Sequence, residues 1–200
     1  MRFALAAVLA LALAGCGSED GADDAASTPP ETVTVTETVA EEPEVECSTA
    51  GLRLTLPEQD LPAPVADVRK RVFDAAVACD YDTLEQIALE QGEGFTFSYG
   101  SGDSAAAYWL QLEEAGDERP LPMRALATIL TMPFTRNESG SYAWPTAYNE
   151  APTDEAWQAL VDAGLYAEET VEAMKLGGSY LGYRTAITAD GDWQFFVAGD

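Results

Sequence analysis

The 200-residue chain carries 35 acidic and 10 basic residues and no histidine, a formal net charge of −25. That balance excludes a nucleic-acid binder, which needs a basic footprint, and it repels anionic lipid headgroups. Without histidine there is no Ser-His or Cys-His triad and no histidine-held metal.

The chain opens with Met1, the basic Arg2 and an apolar run from Phe3 to Leu13, the order of a secretory signal. The run is shorter than the roughly 20 apolar residues that span a bilayer. It ends in Leu13-Ala14-Gly15-Cys16. An ordinary secretory signal would leave Cys16 as an odd thiol in an oxidising compartment. The stretch resembles the lipobox of bacterial lipoproteins: a branched aliphatic, a small residue, Gly or Ala, then Cys. The resemblance implies removal of residues 1–15 and a diacylglyceryl thioether on Cys16. The membrane is then a partner through lipid alone, with the protein at the cell membrane on its extracytoplasmic side. Two acyl chains suffice for stable attachment, at about 0.8 kcal/mol per buried methylene.

From Gly17 to Glu46 there are ten acidic residues, no basic one and no aromatic one. Such a segment buries too little apolar surface to offset the entropy of ordering, and reads as a disordered tether over residues 16–46. Thirty such residues reach roughly 30 Å, more with self-repulsion. Thr32-Val33-Thr34-Val35-Thr36 alternates like a strand, but Glu31 and Glu37 flank it and no apolar partner lies nearby. Its threonines are candidates for O-linked sugars.

A single globular domain is expected over residues 47–200. With Cys16 lipidated, Cys47 and Cys79 remain as a pair, and a bridge between them would contribute about 3.5 kcal/mol by loop closure. The first helix runs from about Pro62 to Cys79 on a stripe of Val65, Val68, Val72 and Ala76, with Asp67 and Arg71 as an exposed i,i+4 pair. Asp80 caps a second helix from Tyr81 to Leu89. Phe95, Phe97 and Tyr99 alternate with Thr96 and Ser98, predicting the first strand.

Gly100-Ser101-Gly102-Asp103-Ser104 then opens a helix with Tyr108, Trp109 and Leu112, ended by Gly116. A glycine-rich turn before a helix also cradles phosphates, but no lysine is near and Asp103 offers its own negative group to the free N–H groups. A cap is the simpler reading. A helix follows between Pro122 and Pro133, then a hairpin through Phe134-Thr135, the Asn137 to Gly140 turn and Ser141 to Trp144. Thr153 caps another helix with Trp157 and Leu160, and an acidic helix from Glu168 breaks at Gly177-Gly178. Leu181, Tyr183, Thr185 and Ile187 alternate, Asp190-Gly191 supplies a turn, and Trp193, Phe195 and Val197 alternate again as a closing hairpin.

No constellation commits the chain to catalysis. Paired carboxylates can hydrolyse glycosides, and Glu113, Glu114, Asp117 and Glu150 are candidates, yet no spacing selects two of them. Asp190-Gly191-Asp192 falls short of a calcium loop and is explained by the turn. No cofactor and no metal site is expected. Tyrosine and tryptophan, frequent around the strands, suit both cores and wet clefts. If a cleft exists, Tyr142, Trp144 and Tyr148 are its candidate ligand-binding residues, because the alternation stops at Pro145.

The closing Gly191-Asp192-Trp193-Gln194-Phe195-Phe196-Val197-Ala198-Gly199-Asp200, with Phe97-Ser98-Tyr99-Gly100, Tyr108-Trp109 and Tyr142-Ala143-Trp144-Pro145, resembles an uncharacterised domain of bacterial exported proteins and lipoproteins. That resemblance implies no activity. The expected fold is α+β, with N-terminal helices packed on a small antiparallel sheet closed by the C-terminal hairpin; the alternative is a nuclear-transport-factor-like cone, from which the helices between Pro120 and Met174 depart. The expected role is a binding or interaction module of the cell envelope, with a carboxylate hydrolase or a structural surface protein as alternatives. The ligand and the oligomeric state are not legible.

Overall fold

Prolines and short polar caps set where the helices of this domain begin. The computed structural model describes residues 46–90, 94–100, 102–116 and 120–199, all within the compact unit Glu41–Asp200. The signal, Cys16, the tether and its threonines lie outside the described residues. Among the described residues there are six α-helices and a four-stranded sheet; no helix there is long and apolar enough to cross a membrane. The fold is α+β, as the sequence pattern predicts.

Helix α1 (Ala63–Ala78) starts after Pro62 and buries Val65, Val68, Val72, Phe73 and Ala76. It stops at Cys79, whose left-handed φ of 50° turns the chain into α2 (Tyr81–Leu89). Asp80 accepts hydrogen bonds from the Thr83 N–H and hydroxyl at 2.9 and 2.7 Å, and these hold its carboxyl below the ordinary value. Cys47 is bridged to Cys79 with Cα atoms 5.8 Å apart. The Thr49 hydroxyl donates to the Val77 carbonyl at 2.6 Å, so the entering chain docks on the end of α1.

Two local expectations change. Arg71 does not pair with Asp67: its guanidinium donates to both oxygens of Glu90 beyond α2, at 3.1 and 2.6 Å. A bidentate grip across two helices outcompetes a one-point i,i+4 pair. The turn before α3 (Ala105–Ala115) is capped by Ser104, not Asp103; Ser104 accepts from the Ala107 N–H, and Glu85 of α2 reaches over to accept from the Ala106 N–H. A carboxylate from another helix thus takes the place an anion would fill. Helix α4 (Pro122–Thr131) follows, buried along nearly its whole length.

The sheet runs β1 (Thr135–Arg136), β2 (Tyr142–Trp144), β3 (Arg184–Ile187) and β4 (Trp193–Val197), each neighbour antiparallel, in that order. It is open rather than closed into a barrel. A bulge between β3 and β4 pairs Ala186 with Phe195 but Ile187 with Trp193. The extra residue undoes the expected Trp193, Phe195, Val197 alternation, because a bulge rotates the side chains on either side of it relative to one another. Trp193 and Phe196 now share the inner face, with ring centres 5.9 and 5.7 Å from that of Trp109 on α3. Phe195 turns to the outer face.

The expected first strand is only one parallel bridge, Thr96 to Phe195. The Thr96 N–H donates to Gln194 and the Phe196 N–H to Thr96, both at 3.0 Å. The Ser98 side chain then bends the chain by accepting from the Gly100 N–H, and pairing ends. Phe95 still packs on Trp193, its ring centre 4.5 Å away.

Beyond β2 a cis Trp144–Pro145 bond leads into a 3-10 turn at Thr146–Tyr148. Helices α5 (Asp154–Asp162) and α6 (Glu168–Gly177) come next, α5 capped by Thr153. Two tyrosine hydroxyls fasten this pair to the sheet. The Tyr183 N–H donates to the Tyr166 hydroxyl at 2.8 Å, and the Tyr180 hydroxyl donates to the Tyr183 carbonyl at 2.7 Å. Gly182 is required beside them: a Cβ there would lie 2.5 Å from the Tyr180 hydroxyl oxygen and 2.7 Å from that of Tyr166.

Candidate functional site: a polar groove walled by tyrosines

Three short segments form the walls of a groove of about 750 Å³: Arg136 to Ser139, Tyr148 to Glu150, and Gly178 to Tyr180. Each is held by its own local chemistry. In the first, the Asn137 side-chain oxygen accepts from the Ser141 N–H and the Ser139 hydroxyl at 2.9 and 2.8 Å, closing the turn, and Gly140 adopts the positive φ of 81° that the turn needs. In the second, the Asn149 amide donates to the Thr135 hydroxyl at 2.9 Å, tying the 3-10 turn to the edge strand. In the third, left-handed Gly178 ends α6 and redirects the chain toward Tyr180. The volume falls within the range of small-molecule sites.

The three aromatic candidates separate. Tyr148 walls the groove. Tyr142 is half-buried with its ring against Phe134, and the Arg136 guanidinium lies 4.0 Å from its centre. Trp144 is a correction: it is fully buried on the inner face, its indole N–H donates to Gln59 at 3.2 Å, and it belongs to the core. Strand alternation puts Trp144 on the same face as Tyr142, and that face packs on the helices. Position 148 escapes because the chain has already left the sheet.

The carboxylate candidates are also dispersed. Glu113 is buried, accepting from the Met123 N–H at 2.7 Å and the Ser48 hydroxyl at 2.9 Å, while its second oxygen has no hydrogen-bond partner. Burial pushes its carboxyl up, against the opposing pull of those two bonds. It caps the first turn of α4 and pins the entering chain. Glu114 is exposed, and Asp117 lies outside the described residues. Glu150 does line the groove, together with Glu138, which sequence reasoning did not single out. The Asp190 to Asp192 stretch is a hairpin turn, the Asp192 N–H donating to the Thr188 hydroxyl. Among the described residues no three acidic or cysteine side chains gather as metal ligands.

Sequence reasoning singled out none of three further residues as a site: Arg136 and Tyr180, which line the groove, and Arg184, which lies behind Tyr148 and does not line it. Arg184, the first residue of β3, is 8% exposed. Its guanidinium carbon lies 5.3 Å from the ring centre of Tyr148 and 6.0 Å from that of Tyr99, and it donates to the Tyr99 hydroxyl at 3.1 Å and the Gly182 carbonyl at 3.3 Å. The Tyr180 hydroxyl is raised well above its ordinary value, by burial first and by Tyr166 second, with the charge of Arg184 opposing. Arg184 therefore stands beside both groove tyrosines. The one signal in the sequence that marks these arginines is scarcity: with only 10 basic residues against 35 acids, a cation without an evident i,i+4 acid stands out.

Comparison with known protein families, with curated proteins and with solved structures finds no match.

Proposed function

We propose that this chain is a lipid-anchored protein of the bacterial cell envelope whose folded domain binds a ligand in the groove beside Tyr148. The observation that carries the binding reading is the groove itself, formed by three independently braced segments and walled by a tyrosine from the stretch singled out in the sequence. The anchor rests on the lipobox resemblance at Leu13 to Cys16, and the acidic segment after it serves as spacer. The crystal structure of protein extracted from its native envelope tests the binding reading. Extra density in the groove supports it; an empty groove, together with native mass spectrometry showing no adduct, overturns it. For the anchor, mass spectrometry should find acyl chains on Cys16, and a Cys16→Ala chain still held in the membrane fraction would contradict it.

A second reading, a carboxylate hydrolase, draws on Glu138 and Glu150 lining the same groove. Both are exposed, lacking the burial that sets a general acid apart from its partner. Hydrolysis of envelope glycan by the wild-type chain, abolished in Glu150→Gln, would move the assignment to an enzyme.

A further inference from the structure

The groove offers hydrogen-bonding groups of both kinds. Among the described residues the side chains of Glu138, Glu150 and Ser179 make no hydrogen bond or ion pair, and the Asn137 side chain is engaged through its oxygen, leaving its amide nitrogen without an acceptor. Carboxylates only accept, amide and guanidinium N–H groups only donate, and a hydroxyl does both. Charge is balanced as well. Glu138 and Glu150 stand against Arg136 on the lining and Arg184 behind Tyr148, two acids to two bases, in a chain of net charge −25. Tyr148 itself is braced from two directions: Phe195 meets it edge-on with ring centres 6.0 Å apart, and the Arg184 guanidinium carbon lies 5.3 Å from its centre.

We propose that the groove binds a neutral saccharide, with Tyr148 as the platform for a sugar ring and Glu138, Glu150 and Asn137 as partners for its hydroxyls. The proposal rests on the binding reading above and names the class of its ligand. An oxyanion only accepts, and in this groove it would face two carboxylates. An ammonium only donates, and it would face Arg136 and a ring that already has the Arg184 guanidinium against it. A sugar hydroxyl donates to a carboxylate while accepting from an amide, so it uses both kinds of group side by side and brings no charge. The C–H face of a sugar ring is apolar and weakly positive, which suits the negative face of a tyrosine. A ring held from two directions loses little freedom when the sugar settles on it.

The test is a titration of the full chain, labelled with nitrogen-15, against linear trisaccharides that differ in charge. Maltotriose and triacetylchitotriose are neutral, trigalacturonate is an anion, and chitotriose is a cation at the mildly acid pH used throughout. The backbone N–H signals of residues 137–139, 148–150 and 179 report on the groove. Saturable shifts there with at least one neutral sugar, and none with trigalacturonate, are expected. Tyr148→Ala should weaken that binding about tenfold, whereas Tyr148→Phe should keep it, because the ring and not the hydroxyl is the platform. The Glu138→Gln/Glu150→Gln double variant, at two exposed positions, should change it less than about threefold, since a side-chain amide still offers an acceptor oxygen. The wild-type ranking of the four sugars decides the matter should Tyr148→Ala not fold. No shift with either neutral sugar, tightest binding of chitotriose or of trigalacturonate, or equal affinity in wild type and Tyr148→Ala overturns the proposal. If all four sugars fail while envelope-extracted protein still shows density in the groove, the saccharide class falls and the binding reading stands.

Discussion

The two faces of one sheet each bury an arginine, and they do so differently. On the inner side Arg69, 3% exposed, donates twice to the Leu130 carbonyl, at 3.1 and 2.6 Å, and once to the Pro57 carbonyl at 2.9 Å. Leu130 lies in the last turn of α4, where carbonyls lack helical partners and a cation meets the negative end of the dipole. Trp144 closes the site at 5.7 Å. Burial lowers the Arg69 pKa to about 10. On the outer side Arg184 has a 3.3 Å carbonyl and an exposed tyrosine. A guanidinium satisfied by backbone is a structural knot, whereas one left on rings keeps donors to give away.

That contrast sets a graded series in urea unfolding of the full chain. Arg69→Met should be the most damaging, losing about 3 kcal/mol, because the buried Leu130 carbonyl loses both its guanidinium donors and the Pro57 carbonyl its one. Gly182→Ala comes next at about 2 kcal/mol, since the new methyl forces out the Tyr166 and Tyr180 hydroxyls that hold Tyr183. Glu113→Gln should instead stabilise by about 1 kcal/mol at neutral pH, removing a buried, half-partnered charge. Its sign comes from linkage: the folded carboxyl holds its proton more tightly than the unfolded one. The stability Glu113 contributes is full below the ordinary carboxylate range and lost as pH rises through the raised value. The wild type should lose that increment as pH rises from the ordinary carboxylate value, and Glu113→Gln should lack it. Arg184→Met should change stability least, by about 0.5 kcal/mol in either direction. A loss at Arg184 as large as at Arg69 would erase the distinction between the faces.

What the sequence made legible was local. Asp80 and Thr153 cap the helices they were expected to cap, Pro122 and Pro133 bracket α4, and both hairpins turn where asparagine, aspartate and glycine allow. What it hid was reach across the chain. Glu85 meets the α3 terminus and Arg71 meets Glu90 because helix packing brings them together, and no spacing in the sequence encodes that distance. The bulge that sends Phe195 outward depends on Thr96 arriving from the side to bond on either side of it. The site was legible in the same proportion. Tyr148 comes after a proline that ends an alternating run, and so could be read, whereas Arg136, Tyr180 and Arg184 become neighbours of the groove only through the sheet.

The aromatic cluster around Trp109 has a consequence for the order of events in folding. Its members Phe95 and Trp109 come from the middle of the chain, while Trp193 and Phe196, each at most 1% exposed, arrive from β4. Helices α1 to α3 can form early, but their apolar faces stay open until residues 193–197 are delivered. A chain lacking that segment leaves the Trp109 face uncovered, so the last strand completes the core that the first helices begin.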